Sequence, residues 1–314
     1  MSERLILKTP AKINLFLKIT GKRSDGYHDI FTVMQMVGLW DELIIEHSDT
    51  LDIICSNNEG LSGDGNLIYK AALKIKEYSG VKAGARITLN KVIPVGAGLG
   101  GGSSDAAAAL SGLNKLWGTG FSVERLAGIG KELGSDVPFF LNGPVAIGHG
   151  RGDELVTLNG SADFWFLLVN PGIHISTAWA YNQFSLGHSY ISIPDSVSHD
   201  TWLGPFSEAK FELTNRGESI KIPLPEGIRK KGDNYWLFPF NDFEEVMTSK
   251  YPMIRNVKEK MVACGAMYSL MSGSGSTVFG IFGERSSAER ARMLIQDNGW
   301  KSWVVKSLHS PPYS

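Results

Sequence analysis

The sequence predicts an α+β fold built from two domains, and three observations lead to this prediction. The chain has 314 residues, which is enough for two domains of ordinary size. Segments with strand-like and helix-like patterns occur together in both halves. A predicted strand pair closes the first half before a new apolar strand begins. We therefore expect an N-terminal domain over residues 1–160 and a C-terminal domain over residues 161–314.

The N-terminal domain begins with strands, because β-branched and aromatic runs separated by turn residues are typical of strands. These runs span residues 4–9, 13–19, 31–39, 42–46 and 51–55. Apolar residues then recur at helical spacing over 67–78, with Asn66 as the N-cap and Gly80 as the end. The pattern next predicts a strand at 85–92 and a glycine-rich loop at 96–102. Two helices follow at 103–118 and 122–133, and a strand pair at 145–149 and 154–158.

The C-terminal domain continues the mixture of helices and strands. Predicted helices span 177–184, 242–248, 252–264 and 287–297. Predicted strands span 164–169, 266–271, 277–282 and 302–306. Between 185 and 232, glycine, proline and polar residues interrupt the pattern, which indicates a long excursion with one or two strands of its own.

Composition and charge exclude several classes of protein. Lys and Arg number 31 and Asp and Glu number 32, so this balance does not favour a nucleic-acid partner. The apolar run at 164–169 is far shorter than the ~18 residues that a membrane span requires. The N-terminal segment lacks the apolar core of a signal peptide, so we expect a cytoplasmic protein without a membrane partner. No pattern specifies an oligomeric state.

The glycine-rich loop is the most informative segment, because five glycines lie between Gly96 and Gly102. They follow a predicted strand and lead into a helix that we expect to start at Ser103. This arrangement gathers unpaired backbone N–H groups and a positive helix end around an anion. A tight strand-to-helix turn needs only one or two glycines, so a phosphate site is favoured. A larger side chain at Gly101 is expected to intrude on the phosphates.

Known nucleotide motifs can be tested against this loop. A Walker A loop requires Gly-Lys followed by Ser or Thr, which this chain lacks. The spacing of Gly96, Gly98 and Gly101 fits the dinucleotide fingerprint, but the acidic residue expected ~20 positions later is missing. The histidines include no close pair with the spacing of metal ligands, so no metal-ligand residue is assigned.

The loop PVGAGLGGGSSDAAAAL resembles the second motif of the GHMP small-molecule kinases. PAKINLFLKI near the N-terminus resembles the first motif of that family, and MSGSGSTVF at 271–279 resembles the third. The resemblance implies a two-domain GHMP kinase fold with the active site in the interdomain cleft. It also implies that ATP is bound by Pro94, Val95, Gly96, Ala97, Gly98, Leu99, Gly100, Gly101, Gly102, Ser103 and Ser104.

Three further segments narrow the resemblance within the family. GKRSDGYHDIFTVMQ, LGSDVPFFL and NDFE at Asn241 to Glu244 resemble the branch that acts on a cytidine-diphosphate-linked polyol. This implies ATP-dependent phosphorylation of the 2-hydroxyl of a cytidine-diphosphate-linked methylerythritol, in the methylerythritol phosphate route to isoprenoids. A sister GHMP kinase acting on another alcohol is the first alternative. A non-catalytic nucleotide-binding module is the second, but it requires Lys12 or Asp136 to be absent, and both are present.

Two residues are implied to carry the chemistry. Asp136 precedes Val-Pro, where an Asp is often a helix N-cap. The resemblance instead makes it the catalytic aspartate, which accepts the proton of the substrate hydroxyl as that oxygen attacks the γ-phosphate. Lys12 has the ordinary interpretation of a solvated strand lysine. The resemblance implies that it lies beside Asp136, favours the ionised carboxylate and neutralises developing charge.

The remaining candidates concern the acceptor and the metal ion. Asn14 shares a strand face with Lys12 and could orient the acceptor hydroxyl or Asp136. The resemblance makes Tyr27 and Tyr181 stacking faces for cytosine and makes His28 a polar contact to the base edge, where core packing is the ordinary interpretation. Ser103 and Ser104 are expected to cap the helix and also to contact phosphate or Mg²⁺. We expect Mg²⁺ to be held largely by the nucleotide phosphates and water.

Overall fold

The computed structural model describes residues 4–158, 163–187, 212–213, 220–221, 239–295 and 299–313. Their strands form a seven-stranded sheet, a four-stranded sheet and a short two-stranded pair. In the described part of the chain, no helix combines the length and apolar character needed to cross a membrane.

The seven-stranded sheet is built mainly from the first half of the chain. Its strands are β1 (Arg4–Lys22), β2 (His28–Ser48), β3 (Leu51–Cys55), β4 (Gly84–Asn90), β5 (Val145–His149), β6 (Glu154–Thr157) and β10 (Phe240–Asn241). The helices of this half are α1 (Leu67–Ser79), α2 (Gly101–Leu116), α3 (Val123–Leu133) and α4 (Val137–Asn142). These helices share one hydrophobic core with the sheet, in which Ala107, Leu110 and Phe139 pack near Ile45.

The four-stranded sheet is formed by β7 (Trp165–Asn170), β11 (Tyr268–Met271), β12 (Val278–Phe282) and β13 (Lys301–Lys306) in the order β11-β12-β7-β13. Its helices are α5 (Thr177–Gly187), α6 (Glu244–Lys250), α7 (Pro252–Ala263) and α8 (Arg285–Ile295). The short strands β8 (Glu212–Leu213) and β9 (Ile220–Lys221) pair with each other within the predicted excursion. Most other residues of that excursion lie outside the described ones.

The two larger sheets pack against each other. Ile13 of β1 and Val33 of β2 belong to the same buried cluster as Phe166 and Leu168 of β7 and Phe279 of β12. Side chains alternate between the two faces of a strand, so the neighbours of these residues point towards the helices instead. This alternation puts Lys12 and Asn14 on the face of β1 opposite to Ile13.

The structure corrects several element boundaries. The predicted strands 4–9 and 13–19 are one continuous strand, β1, whose pairing with β2 shifts register between Pro10 and Ala11. A β-bulge of this kind accommodates a proline without ending the strand. The predicted strands 31–39 and 42–46 likewise merge into β2. Helix α2 begins at Gly101 rather than at Ser103. Helix α4 and strand β10 are too short for a periodic pattern to predict.

Strand β10 connects the two halves of the chain. It comes from the second half, yet it pairs in parallel with β1 through Phe16 with Phe240 and Leu17 with Asn241. The division into domains at residue 160 stays a prediction, because β10 lies in the sheet formed mainly by the first half.

Candidate active site

A cleft of about 1000 Å³ brings most of the predicted site residues together. Those that line it are Lys12, Asn14, Tyr27, His28, Pro94, Val95, Gly96, Ala97, Gly98, Gly100, Gly101, Gly102, Ser103, Asp136 and Tyr181. Leu99 and Ser104 are buried and are not among the lining residues. We call the part formed by residues 94–104 the phosphate end, and the part formed by Tyr27, His28 and Tyr181 the aromatic end.

Strand β1 places Lys12 and Asn14 side by side at the floor of the cleft. The Lys12 Nζ donates to Asn14 Oδ1 at 2.6 Å, and Asn14 Nδ2 donates to Thr32 Oγ1 at 2.8 Å. Lys12 is only 5% exposed, so its interpretation as a solvated strand lysine is wrong. A buried ammonium needs charged or polar partners, and this site supplies them.

Asp136 faces Lys12 from the start of helix α4. Its Oδ2 lies 3.2 Å from Lys12 Nζ, and its side chain remains 32% exposed. Asp136 occupies the N-cap position of α4, as the ordinary interpretation predicts, but its side chain makes no capping hydrogen bond and instead faces Lys12. A carboxylate that is paired with a lysine and open to the cleft can accept a proton from a bound hydroxyl.

The phosphate end is formed largely by the backbone. Gly96, Gly98 and Gly100 have φ angles of 64°, 77° and 68°, which a residue with a Cβ adopts only under strain. Gly100 is the N-cap of α2 and supplies no side-chain cap. The first N–H groups of the helix therefore remain available, and together with the helix dipole they favour an anion.

The serines and Gly101 differ from their predicted roles. Because α2 begins at Gly101, Ser103 and Ser104 lie in its first turn and do not cap it. The Ser104 hydroxyl is buried without a hydrogen-bond partner. A Cβ added to Gly101 would lie 2.7 Å from Lys91 Nζ and 2.9 Å from Ile93 Cγ2. That direction faces protein atoms, so the predicted intrusion on the phosphates is wrong, and a larger residue would displace Lys91 instead.

A buried ionic cluster lies beneath the phosphate end. The Lys91 ammonium binds both Asp41 and Asp105, and its distance to Asp105 is 2.8 Å. Burial raises the pKa of Asp105 to about 6, although the nearby Lys91 opposes the shift. Asp41 also accepts hydrogen bonds from the backbone N–H groups of Val92 and Ile93 at 2.5 and 2.7 Å. The cluster thus ties the residues before the loop to the helix that follows it.

The aromatic end is more open. The Tyr27 side chain is 56% exposed, and the Arg151 guanidinium lies 5.2 Å from its ring centroid. Tyr181 stacks on His28 with a centroid distance of 4.8 Å and packs edge-on against Phe243 at 4.9 Å. Burial lowers the pKa of His28, and Lys22 contributes further. Burial also raises the pKa of Tyr181, with a contribution from the charge of Asp136.

Comparison with known proteins identifies the family. Residues 66–144 match the GHMP kinases N terminal domain, and residues 225–294 match the GHMP kinases C terminal domain. The 4-diphosphocytidyl-2-C-methyl-D-erythritol kinase of Pelobacter propionicus is 39% identical over 97% of this chain and 99% of its own length. The kinase of the same name from Geobacter sp. is 40% identical over 98% of this chain and 100% of its own length. The chain belongs to this kinase family.

Solved structures agree with this membership of the 4-diphosphocytidyl-2-C-methyl-D-erythritol kinase family. A crystal structure of 4-(cytidine 5'-diphospho)-2C-methyl-D-erythritol kinase is 30% identical and superposes with a TM-score of 0.73, covering 96% of this chain and 99% of its own. Mevalonate kinase from L. major is only 12% identical, has a TM-score of 0.62 and covers 98% of this chain and 96% of its own, which shows a shared fold. The predicted α+β GHMP kinase fold and the family resemblance are confirmed.

The third motif of this family member supplies contacts that the candidate residues did not include. The turn at 272–277 joins β11 to β12 and packs on the phosphate end, where Ser272 Oγ donates to the Gly98 carbonyl at 2.9 Å. The same hydroxyl accepts a hydrogen bond from the Asn14 N–H at 3.4 Å. The segment MSGSGSTVF signalled this region, but the sequence could not indicate which residues it touches.

Proposed function

We propose that this chain is a cytoplasmic kinase that transfers the γ-phosphate of ATP to the 2-hydroxyl of 4-diphosphocytidyl-2-C-methyl-D-erythritol, in the methylerythritol phosphate route. The observation that carries the proposal is the pairing of Lys12 with Asp136 in the same cleft as the glycine loop and the aromatic end. That arrangement supplies a general base for the hydroxyl proton, an anion site for the phosphates and an aromatic site for cytosine. The names of the relatives support the choice of acceptor.

ATP is proposed to bind with its phosphates at the phosphate end. Backbone N–H groups at the start of α2 and the positive end of the helix dipole attract phosphate oxygens. The positive φ angles at Gly96, Gly98 and Gly100 let the backbone approach a ligand closely, without a side chain between them. Because N–H donors and a positive helix end attract anions, the phosphate end suits a triphosphate better than a neutral ligand.

In the proposed reaction, the acceptor hydroxyl oxygen attacks the γ-phosphorus. Asp136 takes the hydroxyl proton, the new O–P bond forms, and the bond to the β,γ-bridging oxygen breaks so that ADP leaves. Lys12 pairs with the Asp136 carboxylate and offsets the negative charge that develops. Asn14 accepts a hydrogen bond from Lys12 and holds its ammonium group in place.

Mg²⁺ is proposed to accompany ATP. The described residues contain no group of three or more His, Cys, Asp or Glu arranged to hold a metal ion. The Ser103 hydroxyl lies in the first turn of α2 at the cleft, whereas the Ser104 hydroxyl is buried and does not line the cleft. A hard cation with mostly phosphate and water ligands would fit this donor set, and it would neutralise phosphate charge.

The acceptor is proposed to place cytosine at the aromatic end. The exposed ring of Tyr27 offers a stacking face, and Tyr181 lies in the same cleft. The ring of Tyr181 already stacks on His28, so His28 is proposed to support one tyrosine as well as to contact the base edge. Base stacking on an aromatic ring contributes about 1 to 3 kcal/mol.

The test combines a substrate panel with one substitution. ADP release should depend on the cytidine-linked acceptor, and a panel that includes mevalonate and homoserine should give little release. Asp136→Asn should fold normally and lose kcat by at least ~10²-fold, the scale of removing a general base. Asp49→Asn is the control and should leave kcat unchanged, because Asp49 is an exposed carboxylate that does not line the cleft. Near-normal kcat for Asp136→Asn would contradict the proposal.

A further inference from the structure

The segment NDFE at Asn241 to Glu244 includes Phe243, which lines the cleft, but the role of Asn241 is not explained by the site described above. Its first residue lies in β10, which pairs in parallel with β1, the strand that carries Lys12 and Asn14. The backbone N–H of Asp242 extends this pairing by donating to the Leu17 carbonyl at 3.0 Å. The segment is therefore fixed to β1, which we call the catalytic strand.

The Asn241 side chain binds the third-motif region from this position. It is only 3% exposed, and its Nδ2 donates to the carbonyls of Met271 and Gly273, both at 2.8 Å. Its Oδ1 accepts a hydrogen bond from the Phe243 N–H at 3.0 Å. Both amide protons and the oxygen are thus satisfied, as a buried polar side chain requires. Glu244 adds a second attachment by accepting from the Met271 N–H at 2.7 Å.

The 272–277 turn, whose start is bound by Asn241, contacts both the phosphate end and strand β1. Ser272 donates to the Gly98 carbonyl at 2.9 Å and accepts from the Asn14 N–H at 3.4 Å. A Cβ built on Gly273 would lie 3.3 Å from Asn14 Oδ1. The Thr277 N–H also donates to the Ala97 carbonyl at 3.2 Å. The 272–277 turn is therefore in contact with the phosphate end on one side and with the catalytic strand on the other.

We propose that Asn241 is a positioning residue for phosphoryl transfer. It fixes the 272–277 turn relative to β1. The position of this turn then determines where Gly98 lies relative to Asn14 and Lys12. The γ-phosphate and the acceptor hydroxyl must meet in line, and a misplacement of about 1 Å can lower the rate by ~10²-fold. This inference rests on the proposed function, because it assumes that the phosphate end and the Lys12 side hold the two reactants.

Asn241→Asp is the sharpest test, because it retains the shape and the acceptor oxygen but replaces the two-proton donor. The new carboxylate oxygen would face the carbonyls of Met271 and Gly273, and the turn should move away from it. We expect kcat to fall by roughly 10- to 100-fold. The KM for the acceptor should change less than kcat, because the stack of His28 and Tyr181 does not include the Asn241 amide.

Asp242→Asn is the matched control in the next position of the chain. Its carboxylate accepts from Lys18 Nζ at 3.0 Å and from the Ile19 N–H at 2.6 Å, and both partners lie on β1. This variant should lose thermal stability but keep kcat within about 3-fold, since the backbone pairing of β10 with β1 and the Asp242 N–H bond to Leu17 still hold Asn241 in place. Equal losses of kcat in the two variants would show that the loss comes from lower stability of the fold and would overturn the inference.

Ser272→Ala provides a second route, which does not depend on Asn241→Asp folding. It removes the hydroxyl that joins the turn to Gly98, and it should also lower kcat. If Asn241 acts through the turn, the double variant should lose less activity than the product of the two single losses. Wild-type kcat in either single variant would overturn the inference. Rates are measured with the acceptor that the wild-type protein uses in the panel, so a failure of the proposed function is detected separately.

Discussion

The two ends of the cleft are constructed in different ways. At the phosphate end, positive-φ glycines and backbone hydrogen bonds from another segment shape the loop, and Ser272 and Thr277 bind it from the second half of the chain. At the aromatic end, side chains form the surface, and Tyr27 is more than half exposed. The phosphate end is therefore sensitive to added atoms, whereas the aromatic end is sensitive to removed ones.

This difference separates the effects of substitution at the two ends. An added methyl group at Gly98 has to displace the backbone of Ser272, so binding and stability should change together there. Removal of an exposed ring leaves the surrounding fold intact, so its effect should be confined to one substrate. The three predictions below test this contrast, from the largest expected effect to the smallest.

Gly98→Ala should have the largest effect. A Cβ at this position would lie 2.0 Å from the Ser272 carbonyl oxygen, and the φ angle of 77° adds backbone strain. Strain of this kind costs about 1 to 3 kcal/mol, and the overlap with Ser272 adds to it. We expect a loss of kcat/KM for ATP of more than ~10²-fold, together with a lower Tm, measured by ADP release and thermal melting.

Gly102→Ala is the control for this prediction. A Cβ there would meet only Leu67 Cδ1 at 3.6 Å, which is an ordinary contact. Alanine is also favoured over glycine in a helix by about 1 kcal/mol, so stability should hold or rise. An equal loss of Tm from both alanines would contradict the assignment of Gly98 as a position of close backbone approach.

Tyr27→Ala should have an intermediate effect that is confined to the acceptor. Loss of one stacking ring should raise the KM for the cytidine-linked substrate by roughly 5- to 150-fold, while the KM for ATP hardly changes. Tyr27→Phe should be mild, because the ring face remains. Equal losses in the two variants would assign the effect to the phenol hydroxyl, and a change limited to ATP would refute a cytosine site. Because Tyr27 is exposed, both variants should fold normally.

The smallest expected effect is the contribution of His28 to the pH dependence of folding stability. Burial lowers its pKa below the usual 6.5, so the ring should be neutral at pH 7. The unfolded chain then binds the proton more readily than the folded one, and folding stability should fall as the pH drops through 6.5 towards the lower folded value. An NMR titration of His28 measures this pKa directly. Removal of the stacked ring in Tyr181→Ala should bring the value back towards 6.5, and an unchanged value would exclude burial under Tyr181 as a cause.

The sequence predicted the longer elements well, because their patterns are local. Asn66 accepts from the Ile68 N–H as the N-cap of α1, and Gly80 ends that helix in a left-handed conformation, as predicted. The errors occurred where distant pairing decides the structure. Pairing with β2 carries β1 through Pro10, and pairing with β1 makes a strand of Phe240 and Asn241. Neither effect can be read from a short window of sequence.

The sequence by itself determined the family and the fold class and predicted the phosphate loop, because glycine spacing and motif order are properties of the chain. Only the tertiary structure decided which atoms meet. It paired the Asp136 carboxylate with Lys12 rather than with a backbone N–H of α4, directed the Gly101 position towards Lys91, and brought Asn241 to the third motif. The contacts of Asp136 and Asn241 join residues that are far apart in the chain, and the surroundings of Gly101 depend on how its loop packs against Lys91, so all three depend on tertiary packing.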